Sequence, residues 1–408
     1  MIDTIILMLE EESFEIINPD AFTPSARLIK NNFATRGIIS KQNPTKKELA
    51  LGVYKPRLTL FLTPCFTPLH TRTPASFDKL RLRQGFGGHV RMSGRRQLSP
   101  TSKTMLKIEL SLPKLFFGNN FEELTPKQFP ELVQKLCSIL QTMGIVTDID
   151  TLIRAPVSSI HFSKNIPLTD GSIPYHYISK IEEANIKLSL DINQTDYRNK
   201  GHSYKWHSNS YELVFYDKIR DLEQAKKSDK RSLEKDNAIQ LHLFDTLHNK
   251  KMFEVLRMEA RLNNRRKIQQ ILKKLEIKAQ LTFKGLFKTN IARKILLHYL
   301  DEIERARPPL LDFKANNAKS LLTGLIFNNP NLSPRRIFQL YGMKLALEHM
   351  SIRELRTILG ACNKRSWYRL IADMKDVIVA QHLIPPNPFQ IIRDCLEAFK
   401  PTTRKILY

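Results

Sequence analysis

Four short segments alternate apolar and polar side chains with the period of a β-strand, and each places one chemically competent polar group in the pattern. They are residues 106–112 (LKIELSL), 157–163 (VSSIHFS), 211–218 (YELVFYDK) and 255–262 (VLRMEARL). Successive strand side chains point to opposite faces, so Ile108, Leu110 and Leu112 face inward while Glu109 faces away. The same alternation separates His161 from Ile160 and Phe162, Tyr216 from Leu213 and Phe215, and Glu259 from Met258 and Ala260. If the strands share a sheet, one face carries two carboxylates, a histidine and a tyrosine. MIDTIILML at the start and RLTLFL at 57–62 predict two further strands.

Between the first two segments the spacing predicts a helix. Thr125 can cap it, Pro126 takes its first turn, and Gly144 lies past its end. Leu132, Leu136, Ile139, Leu140 and Met143 give it an apolar face. A charged helical stretch from about 219 to 247 separates the last two strands. The order strand, helix, strand, then strand, helix, strand predicts an α+β fold, a split antiparallel sheet with helices on one face.

From about 265 the period is helical, giving two domains, 1–264 and a mainly helical 265–408. Ser333-Pro334 starts one helix, Ser351 with Glu354 forms a capping box for another, Gly360 breaks the pattern, and Asn363 caps a further helix. Pro385, Pro386 and Pro388 mark a break before a last helix. A helix-turn-helix and an ordinary bundle both fit this region. Residues 63–104, rich in Pro, Thr, Arg and Gly, predict a loop or insertion. The GFGG at 85–88 lacks the Gly-Lys-Ser/Thr and the strand-to-helix context of a phosphate loop.

Charge changes the picture. The 408 residues include 65 Lys and Arg against 40 Asp and Glu, a net +25. An excess of this size favours a polyanionic partner, because neutralising phosphates releases condensed counterions. Apolar stretches such as 4–9 and 321–327 fall far short of a membrane span of ~20 residues. The start lacks a basic segment before its apolar run and reads as a strand, not a signal peptide. Cys65, Cys137, Cys362 and Cys395 have no C-x-x-C spacing and fit reduced thiols rather than a zinc site.

These residue types suit metal-assisted phosphodiester chemistry with a tyrosine nucleophile. Glu109, His161 and Glu259 offer oxygen and imidazole ligands for Mg²⁺ or Mn²⁺, which would polarise a phosphate. Tyr216 would attack, bonding to a 5′-phosphate and releasing a 3′-hydroxyl, and Lys218 on the same face would steady the phenolate or the phosphate. Tyr211, on the opposite face, is the competing nucleophile. Tyr204, Trp206 and His207 are candidates for stacking on unpaired bases, with Arg257 and Arg261 as further DNA contacts. Each has a plainer reading: packing tyrosines, a structural histidine, solvated ion pairs.

The chain resembles the gene II/X family of phage and plasmid replication initiators, typified by the filamentous-phage proteins. The resemblance rests on MIDTIILML, LKIELSLPKLFFGNN (106–120), VSSIHFSKNI (157–166), ELVFYDK (212–218), VLRMEARL (255–262) and NKRSWYRLIADM (363–374) in order. It is best over 105–300. It implies a rolling-circle initiator fold and nicking of one strand at a replication origin, with covalent attachment through the tyrosine of a tyrosine-x-lysine motif, here Tyr216-Asp217-Lys218. Single-stranded or extruded origin DNA, a host helicase and a DNA polymerase are the implied partners, and the bacterial cytoplasm the implied location. His161 stands where the filamentous-phage proteins have an aspartate, and 63–104 does not match the strand pair expected before Glu109. The alternatives are a non-cutting DNA-binding regulator or packaging protein and an RNA-binding structural protein.

Overall fold

The computed structural model describes residues 1–25, 28–30, 35–45, 48, 54–68, 98–184, 197–198, 202–207, 210–221, 254–312, 317–350, 352–362, 364–378 and 387–403. In chain order the strands are β1 (Ile2–Glu10), β2 (Glu15–Ile16), β3 (Thr23–Pro24), β4 (Leu28–Lys30), β5 (Thr35–Gln42), β6 (Arg57–Pro68) and β7 (Leu98–Ser111). They continue as β8 (Ile145–Val146), β9 (Val157–Leu168), β10 (Tyr197–Arg198), β11 (Ser203–His207), β12 (Tyr211–Asp217) and β13 (Glu254–Leu262). Among the described residues eleven of them form one antiparallel sheet, in the order β10-β11-β12-β13-β9-β1-β7-β6-β5-β3 with β4 beside β5. β2 and β8 pair separately.

Helices cover one face of this sheet. Leu132, Leu136 and Leu140 of the helix Phe129–Thr142, Ile295 and Leu296 of Thr289–Ala306, and Ile392 and Leu396 of Gln390–Ala398 share a core with Ile5, Leu7, Ile108, Leu110, Ile160, Phe162, Phe215 and Met258. Thr125 and Gln128 form a capping box at the start of the first of these helices, and Gly144 past its end takes the left-handed φ of 81° that glycine tolerates. The fold is thus the α+β class that the strand and helix periods predict, with a mainly helical C-terminal region.

The apolar packing does not divide at 264. The helices Arg265–Lys274 and Thr289–Ala306 belong to the sheet's core, and so does Gln390–Ala398 from the end of the chain. A second cluster begins at Leu310 and gathers Leu321, Leu325, Ile337, Leu340, Trp367 and Met374. Its helix Pro334–His349 starts as the cap-then-proline rule predicts, with Ser333 accepting from the Arg336 amide. The helix Ile352–Cys362 runs through position 360 without a break. Ser351, Asn363, Pro385 and Pro386 lie outside the described residues.

The loop expected over 63–104 is corrected at both ends. β6 and β7 pair continuously from Arg57↔Glu109 to Pro68↔Leu98. Thr63, Cys65 and Thr67 favour extended backbone. β5 pairs with β6 only from Leu58 to Leu62, so Pro64 and Pro68 stand beyond that ladder, where a missing N–H costs no bond to β5. Residues 69–97, with the GFGG, lie outside the described residues, as do 222–253, which hold most of the expected charged helix. Among the described residues no helix is long and apolar enough to cross a membrane, and the thiols of Cys137 and Cys395 are free.

Candidate functional site

Register fixes which side chains share the sheet's open face, because directly paired residues point the same way. Tyr216 pairs with Arg257, Arg257 with Asn165, and Glu259 with Ser163. Arg261 pairs with His161, His161 with Thr4, and Thr4 with Ser111, two residues from Glu109. Tyr216, Glu259, His161 and Glu109 therefore lie on one face, as the alternation predicts.

Glu259 is the centre of that face. Its Oε1 accepts from Tyr216 Oη at 2.8 Å and Arg257 Nε at 2.8 Å, and its Oε2 accepts from Arg261 Nε at 2.9 Å and Nη2 at 2.7 Å. Burial alone would raise this carboxyl, but Arg261 and Arg257 outweigh it and hold Glu259 ionised, far below the usual carboxylate range. Arg257 is buried and donates four hydrogen bonds, to Glu259, to the Asn120 carbonyl at 2.7 Å, to Asn165 Oδ1 at 3.1 Å and to Ser163 Oγ at 3.1 Å, and it forms an ion pair with Asp3 Oδ1 at 2.9 Å.

Burial pushes the Tyr216 phenol well above its ordinary value, with Arg257 opposing. Lys218 is fully buried and donates from Nζ to Asn120 Oδ1 at 2.6 Å, with Nζ 5.8 Å from the centre of the Tyr216 ring. Burial, reinforced by Arg257, lowers its ammonium from 10.5 to about 7.

The three expected metal ligands share the face but do not converge. β1 lies between the strands of Glu109 and His161. Glu109 is engaged by Lys107 Nζ at 3.1 Å and faces Arg57 at 3.9 Å. Among the described residues no group of three or more His, Cys, Asp or Glu side chains could hold a metal ion. Both oxygens of Glu259 are taken up by two guanidiniums and a phenol, so a dication would have to displace cations to reach it. The residues present do not fit an ion held by Glu109, His161 and Glu259 together. Burial and then Arg261 lower the half-buried His161 imidazole below its ordinary value, disfavouring its charged form.

The expected DNA contacts separate by face. Tyr204 and Trp206 pair with Phe215 and Leu213 and point into the core, at 0% and 5% exposure, so neither ring offers a face to a base. The His207 side chain lies outside the described residues. Arg257 is interior, whereas Arg261 is about a third exposed and also faces Glu212 at 3.4 Å. Tyr211 is on the helical side, stacked on Tyr299 with ring centres 5.4 Å apart and under Lys267 Nζ at 4.2 Å.

Sequence reasoning missed Asp3, Asn120 and Asn165, which hold Arg257 and Lys218 in place. Asn120 sat in view in the LPKLFFGNN turn. Asn165 was hidden because Ser163-Lys164-Asn165 looks like the end of a strand.

Neither a curated protein nor a solved structure matches the chain. Residues 86–284, just under half the chain, match the family model for the N-terminal region of the replication-associated gene II protein. That segment contains the whole of β9, β12 and β13, with Glu109, the Asn120 turn, and every member of the Tyr216 cluster except Asp3. Across 86–284 the chain is therefore similar to the gene II-type family of replication-associated proteins.

Proposed function

We propose that the protein is a replication initiator that nicks origin DNA by transesterification, with Tyr216 as nucleophile. The observation that carries the reading is the Tyr216 hydroxyl hydrogen-bonded to an ionised glutamate between two arginines, on the sheet face opposite the helices, within the gene II-type segment. Charge-assisted donors of this kind suit the oxygens of a phosphodiester and a developing phenolate.

A phosphate reaching the part-exposed Arg261 would draw that guanidinium from Glu259 and leave the carboxylate more basic. Glu259 then takes the phenol proton as Oη attacks phosphorus. The bond from phosphorus to the 3′-oxygen breaks, that oxygen gains a proton, and the 5′-phosphate stays on Tyr216. Lys218 is placed beside the phenol to supply that proton or to balance the phenolate. One phosphodiester is exchanged for another, so no nucleotide is consumed, and attack by a 3′-hydroxyl on the phosphotyrosine closes the strand. The released 3′-hydroxyl is a primer for a host polymerase, with a host helicase opening the duplex ahead.

The test is incubation with single-stranded DNA of its own replicon, with EDTA or with Mg²⁺ or Mn²⁺, followed by denaturing electrophoresis. A protein–DNA adduct is expected for the wild type and none for Tyr216→Phe. The raised phenol favours a second reading, a DNA-binding regulator that does not cut. Tight, origin-specific binding without any adduct would establish it.

A further inference from the structure

We infer that the far half of the open sheet face, around Lys41, Arg57, Phe61 and Lys107, is a track for single-stranded DNA leading away from Tyr216. This rests on the nicking proposal and extends it to a surface distant from the Tyr216 cluster.

A groove of about 430 Å³ runs over β5, β6 and β7. Among the described residues its lining includes Lys41, Arg57 and Lys107 against a single carboxylate, Glu109, with Ile38 and Phe61 between them. Register places these groups in rows. Lys41, Thr59 and Lys107 lie directly across the three strands, and in the next row Ile38 lies across from Phe61 and Phe61 from Met105. Two residues in the other direction, Arg57 lies across from Glu109.

A row of cations beside a row containing a part-exposed aromatic ring matches a single strand, whose phosphates and unpaired bases alternate along its length. The three strands span only about 10 Å from Lys41 to Lys107, and a duplex would present paired bases with no face free for Phe61. Excess positive charge over the groove selects a polyanion, and the ring selects unpaired bases.

The groove lies on the same face as Tyr216, because the register carries that face from Tyr216 through Arg257, Asn165, His161, Thr4 and Ser111 to Glu109 and Arg57. From β6 to β12 is five strand steps, about 24 Å, which a few nucleotides bridge. Nothing on β5 or β6 is needed for the transesterification, so the groove's contribution is to hold the strand.

Fluorescence anisotropy with a labelled single-stranded oligothymidylate, repeated over a salt series and with a duplex, tests this. In the combined variant Lys41→Gln, Arg57→Gln, Lys107→Gln, single-strand affinity should fall at least tenfold and the salt slope should flatten by about 2. Phe61→Ala should weaken single-strand binding about tenfold and leave duplex binding unchanged. A control combining Lys127→Gln, Lys284→Gln and Lys288→Gln, on the helical segments, should bind as the wild type does, and thermal melting should show all variants folded.

If the groove variant binds like the wild type, the track is overturned while the nicking reading stands on its adduct. An equal loss in the control overturns the track as mere net charge. A parallel loss of duplex binding in Phe61→Ala overturns the single-stranded occupant. A wild type that binds no DNA overturns both proposals.

Discussion

Tyr216, Glu259 and Lys218 carry the account, and each substitution has a separable effect. Tyr216→Phe removes one hydrogen bond to Glu259, so folding stability should drop by only about 1 kcal/mol while the adduct disappears. Glu259→Gln leaves Arg257 and Arg261 without their shared anion and should destabilise the fold by about 3–5 kcal/mol, read by denaturant unfolding. Lys218 behaves in the opposite sense. Its folded-state pKa lies below its ordinary value, so from pH 10.5 down to about 7 the unfolded chain gains a proton that the folded one does not, and stability falls across that window. Lys218→Met should therefore raise the melting temperature at pH 7 while impairing nicking. A lower melting temperature would mean that the bond to Asn120 outweighs the cost of burial. Glu259 and Tyr216 were legible from strand alternation alone. The guanidiniums flanking them were legible too, but as DNA contacts. Only the register across β13 and β9 shows that Arg257 spends its donors inside the protein.

At the scale of elements, β9 holds the site together. Beyond Ser163 the strand runs past the start of β1, and the carboxylate of Glu123 takes over the edge. Glu123 accepts from the Asn165 amide at 2.7 Å, from Lys164 Nζ at 2.5 Å and from the Thr402 amide at 3.0 Å. Burial alone would raise this carboxyl, yet the Met1 amine and Lys164 pull it below its usual range. A depressed carboxyl stabilises the fold above its unfolded pKa of 4.5 and loses that contribution as the pH falls through its folded value. Glu123→Gln should thus cost about 3 kcal/mol at pH 7 and flatten the fall of melting temperature below pH 4.5. β12 and β13 were readable because apolar and polar residues alternate cleanly. The C-terminal part of β9 was not, since Lys164 and Asn165 are polar yet buried by partners distant in sequence. The SYKWH run of β11 alternates as well, but only pairing with Phe215 and Leu213 reveals that Tyr204 and Trp206 point inward.

At the scale of the whole molecule, two apolar clusters divide the labour. The helix Gln390–Ala398 returns to the sheet and seats Ile392 and Leu396 in its core, while Thr402 beyond it reaches Glu123. Leu396→Ala should cost about 2–5 kcal/mol and destabilise the sheet although the residue lies some hundred positions beyond the gene II-type match. Composition alone indicated a polyanion, with a net charge of +25. The arrangement of that charge was beyond composition, because Lys41, Arg57 and Lys107 come together only through pairing of β5, β6 and β7. The central claim is that this surface delivers a strand to Tyr216 for covalent capture. Proteolysis of the protein–DNA adduct and mass spectrometry of the nucleotide-bearing peptide test it most directly. The account predicts a 5′-phosphate on the peptide containing Tyr216. A 5′-phosphate on any other residue, Tyr211 included, would contradict it.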